Sequence, residues 1–83
     1  MIKVLYFGRV ADAVGAREQR FNAPAGGCTV AALKALVALD ESERYASLNL
    51  PWVRSSVDQR LGGDDAWVAE DSEVAFFSPY SGG

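Results

Sequence analysis

Short runs that are apolar at nearly every position alternate along this chain with polar or glycine-rich stretches. Ile2 to Phe7 is the most continuous apolar run, rich in β-branched and aromatic residues. It reads as a strand covered on both faces and therefore central in its sheet. Arg9 to Ala16 places Val10 and Val14 one helical turn apart among alanines, with Gly15 as terminator, and predicts a short helical turn. Arg17 to Asn22 is polar, as an edge strand is when its charges discourage pairing with other molecules. Pro24 to Gly27 is a loop. Thr29 is placed to cap the segment after it, where Val30, Leu33, Leu36 and Val37 share one face at helical spacing while alanines and Lys34 fill the rest. This main helix is expected to end near Asp40. From Glu41 to Trp52 the pattern is ambiguous, and Pro51 breaks any regular element there.

Val53 to Leu61 reads as a third strand, Gly62 to Asp65 as a turn, and Ala66 to Val68 as a short strand. After a turn at Glu70 to Ser72 comes a last strand, Glu73 to Phe77. In it Val74 and Phe76 face one way, Ala75 and Phe77 the other. Pro79 cannot donate to a ladder, so the sheet should stop there. The predicted order is strand, strand, helix, strand, short strand, strand. Strands on one side of one helix make an α+β domain with a two-layer core. The first and last strands are the most apolar, which suits an arrangement that sets them side by side in the middle of the sheet. Periodicity by itself leaves several small α+β folds open.

Composition narrows the function. The 83 residues are 49% hydrophobic and 23% charged, an ordinary globular balance, and are expected to form a single domain over 1–83. A domain this small buries about 60–65% of its unfolded surface and offers one modest core, so a deep catalytic cleft is not expected. The net charge is −3, and the eight lysines and arginines are scattered with no basic run. That pattern speaks against nucleic-acid binding and against a polybasic membrane anchor. Met1 to Phe7 is too short to span a bilayer or form a signal core, so the expected location is cytoplasmic. With a single cysteine, Cys28, no intramolecular disulfide can form.

Candidate chemistry is sparse. No histidine is present, which removes the commonest general base and metal ligand, and no metal or other cofactor is expected to be bound. Gly26-Gly27 and Gly62-Gly63 lack the lysine and the strand-to-helix context of a phosphate loop. Asp64-Asp65 and Glu70-Asp71 sit in turns where solvated acids are usual. Cys28, beside a helix start, could be an activated thiol, but a lone cysteine in a small domain is more often a buried apolar filler. Trp52 and Trp67 read as core or edge-packing residues.

The C-terminus is different. The sequence closes Phe76-Phe77-Ser78-Pro79-Tyr80-Ser81-Gly82-Gly83, and two glycines there would arise by chance about once in two hundred sequences. A terminal carboxylate, with a pKa of about 3.3–3.7, is ionised at neutral pH and is a poor electrophile until another enzyme activates it. Glycine lacks a β-carbon, so such a tail passes a narrow channel. The five residues from Pro79 to Gly83 span at most about 17 Å. Ordering each costs about 1–2 kcal/mol, which a docking surface behind the tail must offset. Burying a phenylalanine recovers roughly 1.5–3 kcal/mol. Phe77 is the expected contact residue, with Phe76 in the core.

The opening Met1 to Phe7 and the ending Asp71 to Gly83 together resemble the small subunit of molybdopterin synthase. Val57-Asp58-Gln59 resembles the Val-Asn-Gln of that family. Departures are Ser78-Pro79 for its frequent Pro-Pro and Ser81 for its threonine. The resemblance implies a ubiquitin-like β-grasp fold with a flexible tail over 78–83. It implies that an E1-like adenylyltransferase partner uses ATP to adenylate Gly83, and that a sulfur donor then converts Gly83 to a thiocarboxylate. Gly83 would give its sulfur to cyclic pyranopterin monophosphate in the active site of the large subunit, two small subunits flanking a dimer of large ones. The chain would thus be the non-catalytic, sulfur-donating subunit of a sulfurtransferase. The implied partner-binding residues are Gly82, Ser81, Pro79, Phe77, Leu61 and Phe7. Three other readings stand beside this one: a sulfur carrier for thiazole or thionucleoside synthesis, a ubiquitin-like protein modifier, and a plain interaction domain.

Overall fold

The computed structural model describes residues 1–39 and 42–79. In chain order the elements are β1 (Ile2–Tyr6), α1 (Gly8–Val14), β2 (Glu18–Phe21), β3 (Cys28–Thr29), α2 (Val30–Val37), α3 (Ser42–Leu48), β4 (Arg54–Val57), β5 (Arg60–Gly62), β6 (Trp67–Val68) and β7 (Glu73–Phe77). Five strands form one mixed sheet in the order β2-β1-β7-β4-β5. The first and last strands are its parallel centre, in register from Lys3 opposite Glu73 to Tyr6 opposite Phe76. Parallel neighbours need a long crossover, and here the crossover carries α2 onto one face of the sheet. The expected two-layer β-grasp architecture is present.

Strand alternation builds the core. Ile2, Val4 and Tyr6 of β1 and Val74 and Phe76 of β7 point inward and are buried beneath Val30, Leu33 and Val37 of α2. The rings of Tyr6 and Phe76 stack with centroids 6.0 Å apart. The Tyr6 hydroxyl donates to Gln19 Oε1 at 2.8 Å, so the one polar atom of that pair is satisfied. β1 is central but covered on one face only, since its outward residues Lys3 and Leu5 are half-exposed. Its continuous apolar run reflects an outward face that is itself partly apolar. α1 ends where Gly15 turns left-handed at φ 81°, and Thr29 caps α2 by accepting from the Ala32 amide at 3.1 Å, both as expected.

Several expectations are corrected. α2 ends at Val37, short of the position near Asp40, which lies outside the described residues. The ambiguous stretch contains α3. Lys34 belongs to the buried set, with Leu36 only half-buried: its ammonium donates to Asp64 Oδ1 at 2.7 Å and to Asn49 Oδ1 at 3.3 Å. The third strand over Val53 to Leu61 is instead a hairpin. β4 turns through Asp58 and Gln59, both left-handed at φ 48° and 70°, and returns as β5. Two consecutive positive φ values match the strand twist that two-residue hairpins require. The short strand after it pairs with β3 rather than joining the main sheet. Trp67 upon it is 60% exposed, so it is neither core nor tightly packed edge. Gly27 explains why that small pairing is close: a β-carbon on it would lie 2.2 Å from the Val68 carbonyl oxygen.

Candidate functional site

The outward face of the sheet and the root of the tail form one continuous surface. Phe7 follows β1 in extended conformation, and its amide donates to the Phe76 carbonyl at 3.0 Å. It therefore continues the parallel ladder, and alternation puts its side chain on the same face as Phe77. Across the sheet, Ser56 of β4 pairs with both Ala75 and Leu61, which sets Leu61 on that face too. Phe7 is 51% and Leu61 77% exposed, while Phe77 is half-buried. Large apolar side chains left outward together are the usual mark of an interaction surface. Phe76, one residue back, is fully buried, so the adjacent phenylalanines divide between core and surface as expected.

Beyond Phe77 the chain leaves the sheet: Ser78 is half-buried and Pro79 exposed. Ser81, Gly82 and Gly83, the remaining predicted site residues, lie outside the described residues. The structure thus sets Phe7 beside Phe77 at the end of the outward face from which the tail starts, with Leu61 on the same face two strands away and level with Ala75, and Pro79 exposed in the tail itself.

Features that the sequence reading passed over border this surface. Between the β4–β5 hairpin and β6 lies an open cleft of about 510 Å³ lined by Val57, Asp58, Arg60, Leu61, Ala66 and Trp67. Asp58 anchors its floor. The carboxylate accepts from the Glu73 amide and the Ser72 hydroxyl, each at 2.9 Å. These bonds favour the charged form, the backbone one most, and hold the carboxyl below the usual aspartate range. At the tail end, the Arg9 guanidinium stacks over Trp52 at 4.6 Å, and Arg54 is the register partner of Phe77. A strand-period reading gives no warning of the Arg9–Trp52 pair, whose members belong to separate segments of the chain.

The competing chemistry recedes. Cys28 is buried, and burial pushes its thiol up from the usual value, the opposite of an activated nucleophile. Among the described residues no group of three or more His, Cys, Asp or Glu side chains could hold a metal ion, and no helix is long and apolar enough to cross a membrane.

The family model for the ThiS family matches residues 4–83. The chain belongs to the ThiS family. The match covers both the β-grasp body and the closing glycine pair. The fold is that of SAMP1 from Haloferax volcanii, with TM-score 0.72 and 24% identity over 99% of this chain and 98% of that one. A small archaeal modifier protein 1 structure from H. volcanii matches with TM-score 0.71 and 16% identity over 94% and 95%. A protein from Pyrococcus furiosus described as subunit 1 of a molybdopterin converting factor matches with TM-score 0.72 and 22% identity, over 94% of this chain and 95% of that one. A search of the curated proteins finds no match.

Proposed function

We propose that the chain is the sulfur carrier of molybdenum cofactor synthesis, acting in the cytoplasm through the carboxylate of Gly83. An E1-like adenylyltransferase binds the outward apolar face. The Gly83 carboxylate oxygen attacks the α-phosphorus of ATP there, pyrophosphate leaves, and an acyl-adenylate forms. Sulfide-level sulfur from the donor, as hydrosulfide, then adds to the carbonyl carbon and AMP departs, leaving a thiocarboxylate. The sulfur-bearing tail enters the large subunit of molybdopterin synthase, where its sulfur bonds to cyclic pyranopterin monophosphate and water then cleaves the acyl–sulfur bond, restoring the Gly83 carboxylate. The single observation that carries this reading is family membership extending through Gly82-Gly83, set beside an exposed apolar surface at the tail's root. The body supplies binding energy and the partners supply acid–base groups, consistent with a chain that has no histidine. The likeness to subunit 1 of a molybdopterin converting factor favours this branch.

A second reading, a protein modifier joined to lysines through Gly83, is favoured by the likeness to small archaeal modifier protein 1. It shares the activation step. Intact-mass spectrometry of protein from its native host separates the two. A carrier gives a fraction about 16 Da heavier, sulfur having replaced oxygen. A modifier gives conjugates that survive denaturant and reductant. If reconstitution with adenylyltransferase, ATP and a sulfur source never yields the heavier species, the carrier reading fails.

A further inference from the structure

Charge is laid out along β7 in a way that the apolar surface does not require. Where β7 begins, Asp58, Glu70, Asp71 and Glu73 gather in and beside the turn. On the outward face nearby, Lys3 Nζ lies 3.9 Å from both Glu18 and Glu73, and Arg20 Nε 3.2 Å from Glu18. Where β7 ends and the tail departs, Arg9 of α1 and Arg54 of β4 present their guanidinium groups. Both are exposed, and among the described residues neither forms an ion pair, Asp12 one turn along α1 included.

Both guanidinium groups are nevertheless held in place. Arg9 lies over the Trp52 ring at 4.6 Å, a contact that uses its face and leaves its edge donors free. Arg54 Nη1 donates to the carbonyls of Pro51 and Val53 at 2.8 and 3.2 Å, which leaves its other nitrogens uncommitted. Arg54 stands beside Phe77 by register, and Trp52 is two residues from Arg54, so the two cations stand around the strand end from which the tail emerges. An arginine pre-ordered in this way loses little side-chain freedom when a carboxylate meets it. In a chain of net charge −3, the cationic end also orients the molecule tail-first in the field of an acidic partner.

We propose that Arg9 and Arg54 form a cationic collar at the tail root that docks on a carboxylate-bearing rim around the partner pocket receiving the tail. The inference rests on the proposed carrier function and adds the chemistry of the partner's surface. Its test is stopped-flow association with the host's E1-like adenylyltransferase, at about 25 mM and about 300 mM salt, for wild type, Arg9→Ala/Arg54→Ala and Arg9→Glu/Arg54→Glu. The alanine pair is expected to slow association roughly tenfold at low salt and far less at high salt, with the glutamate pair slower still. Arg9→Lys/Arg54→Lys should retain most of the steering, because its range depends on charge. Equal rates for wild type and the alanine pair at both salts, with wild type adenylated normally, overturn the collar and leave the carrier reading standing. Equal slowing at both salts with a lowered melting temperature assigns the pair to packing against Trp52, and overturns it too. If wild type is never adenylated, the carrier reading fails and takes the collar with it.

Discussion

Asp58 shows what one side chain does at a turn. It adopts a left-handed backbone that aspartate tolerates, and its carboxylate ties the hairpin to the start of the last strand through the Glu73 amide and the Ser72 hydroxyl. Because its folded pKa is depressed, the stabilisation is fully present above the unfolded carboxylate value of about 3.9 and is lost as pH falls through the folded one. The substitution Asp58→Asn keeps the backbone tolerance and loses the charge. The melting-temperature gap between wild type and this variant is therefore expected to be open at pH 6 and to close on acidification below about pH 3.9. A gap independent of pH would mean that the charge contributes nothing. The turn was hidden in the sequence because Asp58-Gln59 has no glycine to announce it; the residues can adopt positive φ, but only the paired strands force them to.

At the scale of elements, α2 is fixed to the sheet's connection by a polar clasp. The Lys34 side chain is 10% exposed and bonds to Asp64, whose own side chain is 60% exposed. Removing the acid leaves a buried ammonium with Asn49 as its remaining partner among those two, whereas replacing the lysine removes the burial cost together with the bond. Asp64→Ala is expected to destabilise by about 1–3 kcal/mol, and Lys34→Met by less. Urea unfolding of both variants checks the order, and a larger loss for Lys34→Met would contradict it. Helical spacing puts Lys34 one turn from Val30 and Val37, on the buried face, and its charge hid that from the apolar pattern. What that pattern lacked was the loop from β5 that covers that flank of the helix. β6 was missed as a partner of β3 for a similar reason: two residues carry no period, and their pairing depends on the backbone approach that Gly27 permits.

For the whole molecule, the question is which face of the sheet serves the fold and which serves a partner. Phe76 is completely buried against Tyr6, and Phe76→Ala is expected to cost about 3–5 kcal/mol. Phe77→Ala, on the outward face, should keep a cooperative unfolding transition close to wild type while weakening binding to the adenylyltransferase or the large subunit that the proposed function calls for. Chemical unfolding and a binding titration on the two variants check this together. Loss of folding in the Phe77 variant would assign that ring to the core.

Local pattern alone was enough for β1, α1, α2 and β7, for the Thr29 and Gly15 caps, and for the division of Phe76 from Phe77, because apolar periodicity and capping chemistry act between near neighbours along the chain. The closing glycines are a sequence feature too, and the family match extends through them. Tertiary structure decided the rest. The parallel contact of β1 with β7, the gathering of Phe7, Leu61 and Phe77 on one face, the Lys34 clasp and the two arginines at the tail root join residues far apart in the chain. No local pattern reports such meetings: they come from burying one face of each element at once, and that condition exists only in the assembled fold.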